Sequence, residues 1–72
     1  MNSIQLREKR AALVNELNQI VASAQAEGRS MNAEENQKFD NIETDVRGIK
    51  SEIERIERAE ELKREFAATK EE

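Results

Sequence analysis

The chain has 72 residues, which is enough for one small domain at most. It contains neither cysteine nor histidine, which excludes disulfides, a thiolate nucleophile and the commonest metal ligands. Charged residues make up 39% of the chain with a net charge of −4, and this balance argues against a general nucleic-acid binder, which needs a basic surface.

The first predicted element is a helix over residues 3–27. Asn2 followed by Gln5 matches a capping box, with asparagine in place of the usual hydroxyl residue. Large apolar residues then recur at helical spacing, with Arg10 filling one step and Ala24 extending the series. They form the first half of an apolar seam, made of Leu6, Leu13, Leu17 and Ile20.

A short turn over residues 28–32 is predicted next. Gly28 suits the left-handed conformation that ends many helices. Asn32 is followed three residues later by Glu35, which predicts a second capping box and the start of a second helix. A short connection between two amphipathic helices favours an antiparallel hairpin.

The second helix is predicted over residues 33–68, longer than the first. Its apolar residues recur at steps of three and four and complete the seam: Phe39, Ile42, Val46, Ile49, Ile53 and Ile56. After Ile56 the pattern rotates, so that Leu62 and Phe66 leave the seam and lack a partner within the hairpin. We expect these two residues to be a possible contact for a partner.

Together these elements predict an all-α fold, an antiparallel two-helix hairpin with a longer second helix, coiled-coil-like and spanning residues 1–72 as a single module. Two helices offer each other only one interface, so a small hairpin buries little apolar surface. We therefore expect the chain to self-associate as a homo-oligomer, or to be attached to a larger body, with the seam as its association surface.

The chemistry of the side chains points away from catalysis. Adjacent acids such as Glu34 and Glu35 point in different directions on a helix and do not form a carboxylate pair. Two isolated glycines cannot build a phosphate-binding loop. We expect no enzymatic activity, no cofactor and no metal, no membrane segment or signal peptide, and an intracellular protein. A nucleic-acid contact through Arg7, Lys9, Arg10 and Arg29 is a weak alternative.

Several short motifs follow one another in a specific order. They are residues 6–14 (LREKRAALV), 26–29 (AEGR), 34–35 (EE), 38–40 (KFD), 42–43 (IE) and 53–55 (IER). This order resembles the N-terminal scaffolding domain, or delta domain, of the tailed-phage major capsid protein family with the Hong Kong type of coat fold. The resemblance extends over essentially the whole chain, and the motifs from AEGR to KFD are its more specific part.

The resemblance implies a helical, coiled-coil-like segment that guides assembly of the immature capsid from inside the shell. Its partners would be other copies of itself and coat-protein subunits, with removal by a prophage-encoded maturation protease. Its location would be the host cytoplasm and then the interior of the immature capsid. The coat domain that follows in that family is absent here, so no shell-forming residue or cleavage site is carried over. The alternative is a generic coiled-coil adaptor or regulator that docks on a partner protein.

Overall fold

The computed structural model describes the backbone of residues 1–70 and the side chains of residues 1–67. Two helices account for nearly all of it: α1 is Ser3–Ala26 and α2 is Ala33–Lys70. They pack along each other, and the molecule is a rod of 65 × 17 × 16 Å. This confirms the all-α helical hairpin with a longer second helix.

The helix ends differ slightly from the sequence prediction. The first helix ends at Ala26 rather than at residue 27, because Glu27 already acts as the cap. The second helix continues to Lys70 rather than ending at residue 68, and no glycine or proline interrupts this stretch. At 1.5 Å per residue, the lengths of α1 and α2 are about 36 Å and about 57 Å.

The antiparallel arrangement is visible in the residues that meet between the helices. Leu6, near the start of α1, forms one buried cluster with Ile49 and Ile53 of α2, and Leu13 and Ile56 pack against it. The start of α1 therefore lies beside the middle of α2, well away from the turn that joins the helices. Five of the described residues are buried in this hairpin, all of them apolar: Leu6, Ala24, Ile42, Ile49 and Ile53.

Candidate association surfaces

The turn between the helices is held by backbone geometry that depends on Gly28. Its φ of +64° is in the left-handed region, as the sequence predicted. The Gly28 N–H donates to the Gln25 carbonyl and the Arg29 N–H donates to the Ala24 carbonyl, each at 3.0 Å. This pair of bonds is a Schellman motif, which satisfies carbonyls that the end of α1 would otherwise leave unpaired.

Both predicted capping boxes are confirmed. At α1, the Gln5 N–H donates to the Asn2 side chain at 2.8 Å, and the Asn2 N–H donates to the Gln5 side chain at 3.1 Å. At α2, the Glu35 N–H donates to the Asn32 side chain at 2.8 Å, and the Asn32 N–H donates to the Glu35 carboxylate at 3.0 Å. Each box satisfies backbone donors in the first turn of its helix.

Arg29 adds a clamp across the turn that the sequence reasoning did not identify. Its guanidinium donates to both oxygens of Glu35, at 2.6 and 3.1 Å, and to Glu27 Oε2 at 2.9 Å. These hydrogen bonds from Arg29, together with the N–H of Asn32, lower the pKa of Glu35 from 4.5 to about 2. The sequence signal for this clamp is the spacing of Glu27, two positions before Arg29, and Glu35, six positions after it.

Every one of the ten residues of the apolar seam is at least half-buried, and five of them form one cluster between the helices: Leu6, Leu13, Ile49, Ile53 and Ile56. Leu6, Ile42, Ile49 and Ile53 are buried, and the other six are half-buried: Leu13, Leu17, Ile20, Phe39, Val46 and Ile56. The hairpin therefore covers much of the seam within one chain. Association between chains therefore needs a further surface, or an exchange of helices in which the seam of one chain packs against that of another.

The basic residues near the start of the chain have different surroundings. Arg7 forms an ion pair of 3.1 Å with Glu57 of α2, and both side chains are about half exposed, so the pair contributes little to stability. Arg10 is half-buried in the gap of the seam between Leu6 and Leu13. Arg29 is held in the turn clamp at the other end of α1.

The distal segment of α2, residues 59–70, extends beyond this packing. Every described side chain from residue 57 to 67 is exposed. Leu62 is 46% exposed and Phe66 is 70% exposed, so the two residues that the sequence placed outside the seam are uncovered in the hairpin. Phe66 is one of only two aromatic residues in the chain, and an exposed aromatic beside an exposed leucine is typical of a contact surface.

A groove on the side of the hairpin is the second surface feature, and no sequence pattern predicts it. The Gly48 groove has a volume of about 590 Å³. Gly48 and neighbouring residues of α2 form one wall, and Met1, Leu6 and Lys9 form the other. A Cβ atom added at Gly48 would have no neighbour within 4 Å, so nothing in the hairpin itself requires a glycine there.

The described part of the chain has neither a metal-binding cluster nor a membrane-spanning helix. No group of three or more acidic side chains there is arranged to hold a metal ion. Neither helix of that part has an apolar stretch that could cross a bilayer. The geometry therefore directs attention to the distal segment and the Gly48 groove.

Comparison with known proteins identifies no relative. No family model, curated protein or solved structure matches the chain significantly.

Proposed function

We propose that this chain is a structural assembly module, a helical hairpin that gathers copies of itself through weak helical contacts. The observation that carries the proposal is the distal segment of α2, which continues past the buried core with Leu62 and Phe66 exposed. A hairpin with five buried residues and an uncovered apolar face gains stability when that face is covered.

We further propose the finer assignment that the resemblance implies, the scaffolding domain of a tailed-phage major capsid protein. The more specific residues of that resemblance, from 26 to 40, mostly build the turn: Gly28 has the positive φ, and Arg29 clamps Glu35. Any protein with the same hairpin turn could need these residues. This part of the resemblance therefore supports a shared fold, and the assembly role rests on the exposed distal segment.

Weak contacts suit such a task. Contacts that are weak one by one become effective when many copies are held close together, because effective concentration replaces intrinsic affinity. In this proposal the module gathers coat subunits in the host cytoplasm, lies inside the immature shell, and is removed by the maturation protease. A contact strong enough to persist would oppose that removal.

A direct test replaces the scaffolding domain of a known tailed-phage major capsid protein with residues 1–72 of this chain. Electron microscopy would compare the coat protein alone, the fusion, and the fusion carrying Leu62→Ser and Phe66→Ser. We expect regular closed shells from the unaltered fusion, and aberrant particles or free capsomers from the other two. The positive control is the coat protein with its own scaffolding domain, which should form regular shells. If that control succeeds and the unaltered fusion fails, the scaffolding role is contradicted.

The adaptor function is the second candidate, and the same exposed residues favour it. An adaptor would use Leu62 and Phe66 to bind a different protein and would not need to self-associate. The two candidates differ in one property of the purified chain. An assembly module forms oligomers as its concentration rises, whereas an adaptor remains monomeric until its partner is added.

A further inference from the structure

Six exposed residues form a straight line along the outer surface of α2. They recur at steps of four and three, and we call them the outer stripe: Gly48, Glu52, Arg55, Ala59, Leu62 and Phe66. Gly48 and Phe66 are eighteen residues apart, which is five turns at about 3.6 residues per turn and about 27 Å. Phe66, the bulkiest exposed side chain of the stripe, and Gly48, which has no side chain, therefore face the same direction.

The outer stripe has a protruding ring at one end and a groove at the other. Phe66 is a ring that is 70% exposed. Gly48 adjoins the Gly48 groove, whose lining combines the apolar side chains of Met1, Leu6 and Ile49 with four polar ones: Lys9, Thr44, Asp45 and Glu52. A glycine inside a helix destabilises it relative to alanine, and the hairpin shows no internal contact that requires one. Close approach of another molecule is a reason for a glycine at such a position.

We propose that a second copy of this chain packs antiparallel along the outer stripe, so that Phe66 of each copy enters the Gly48 groove of the other. This inference rests on the proposed self-association and identifies the surface that performs it. The two-fold axis lies at the level of residue 57. Leu62 then faces Glu52 of the second copy, and Ala59 faces Arg55, which is the alternating layer order of an antiparallel coiled coil.

The charges beside the stripe fit this register. Lys63 flanks Leu62 and lies next to Glu52 of the second copy, and symmetry repeats this pair. Within the described residues, neither Glu52 nor Lys63 has an ion-pair partner of its own. The small side chain of Ala59 leaves room for the aliphatic part of Arg55. Arg58 meets its own copy near the axis, and this like-charge contact keeps the association weak.

The spacing favours a second copy over an unrelated partner. The ring and the groove are on one stripe, separated by a whole number of helical turns. Only an antiparallel copy brings both ends into use at once, with each contact made twice. A self-complementary surface of this kind is the signature of an isologous two-fold interface.

Single cysteines test the register, because the chain has none of its own. Arg58→Cys places two thiols beside the two-fold axis. Arg47→Cys is the matched control, since it lies three turns away on nearly the same side of α2, where its symmetry mate is about 30 Å distant along the axis. A short bismaleimide linker is the reagent, because flanking positions of paired helices lie farther apart than a disulfide tolerates. We expect covalent dimer from Arg58→Cys and monomer from Arg47→Cys; equal linking of both, or linking of Arg47→Cys alone, overturns the register.

A charge exchange tests the same interface without added thiols. Glu52→Lys or Lys63→Glu alone should each weaken dimerisation roughly tenfold, because two contacts become repulsive. The double variant should recover most of the loss. Sedimentation equilibrium distinguishes failure of this interface from failure of the proposed assembly function. If the unaltered chain associates and the variants behave identically, this interface is wrong and the assembly function stands; if the unaltered chain stays monomeric, both are contradicted.

Discussion

The two parts of α2 carry similar apolar residues at similar spacing, yet they have opposite environments. From Phe39 to Ile56, the apolar side chains are buried or half-buried. From Ala59 to Ala67 the apolar positions are rotated around the helix, and their side chains are exposed. One continuous helix thus serves two purposes, because a shift in the apolar pattern assigns its first part to folding and its last part to contact with other molecules.

The largest effect is expected from truncating an apolar side chain to alanine before Ile56, compared with the same kind of truncation after it. Ile53 is 2% exposed and Leu62 is 46% exposed. At concentrations where the chain is monomeric, Ile53→Ala should lower the free energy of unfolding by about 2–5 kcal/mol, since it removes buried methyl groups and leaves a cavity. Leu62→Ala should change it by less than about 0.5 kcal/mol.

Thermal unfolding followed by circular dichroism measures both values. Equal destabilisation by the two variants would show that Leu62 is packed in the monomer, and the comparison would fail.

The two glycines give a smaller effect with opposite signs. Gly28 has a φ of +64°, whereas Gly48 is helical with open space at its Cβ position. Gly28→Ala should destabilise the monomer by about 1–2 kcal/mol, because a side chain is strained in the left-handed region. Gly48→Ala should stabilise it by about 0.5–1 kcal/mol, the usual advantage of alanine inside a helix.

Urea denaturation of the two variants at low protein concentration checks these signs. A loss of monomer stability in Gly48→Ala would mean that Gly48 has a role within the hairpin. A role for Gly48 in a contact between chains would then no longer be needed to explain the glycine.

The smallest effect is the pH dependence of the turn. Glu35 has a pKa lowered from 4.5 to about 2 by Arg29 and by the N–H of Asn32. A lowered folded-state pKa contributes stability that is fully present above the unfolded value of 4.5 and is lost as the pH falls towards 2. The stability difference between the unaltered chain and Glu35→Gln should therefore be constant near neutral pH and shrink below 4.5.

Melting temperatures over a pH series provide the data, and Glu61→Gln in the distal segment is the control for loss of a surface charge. If the stability difference between the unaltered chain and Glu35→Gln does not change down to pH 2, the Arg29–Glu35 clamp does not stabilise the turn.

The hairpin itself could be predicted from the sequence, because each local signal has a single physical meaning here. Gly28 marks a left-handed turn, Asn2 and Asn32 mark helix starts, and the spacing of the seam identifies the buried face. The rotation after Ile56 likewise predicted that Leu62 and Phe66 would be uncovered.

Two features depended on three-dimensional placement and were missed. The Arg29 clamp forms only because the turn brings Glu27 and Glu35 to the same guanidinium. The Gly48 groove forms because Met1 and Leu6 of one helix end come beside Gly48 of the other helix. A glycine within a predicted helix carries no signal for a groove, and Met1 and Leu6 are too distant from Gly48 along the chain to suggest a shared surface.

The most direct test of the central claim is sedimentation equilibrium of the chain over the widest concentration range that its solubility allows. Phe66→Ser is compared with Ile4→Ser, because Ile4 is also strongly exposed, at 66% against 70% for Phe66, but lies outside the distal segment. We expect the unaltered chain and Ile4→Ser to form dimers as the concentration rises, while Phe66→Ser remains monomeric. A monomeric unaltered chain, or dimers of equal affinity in all three proteins, would contradict that claim.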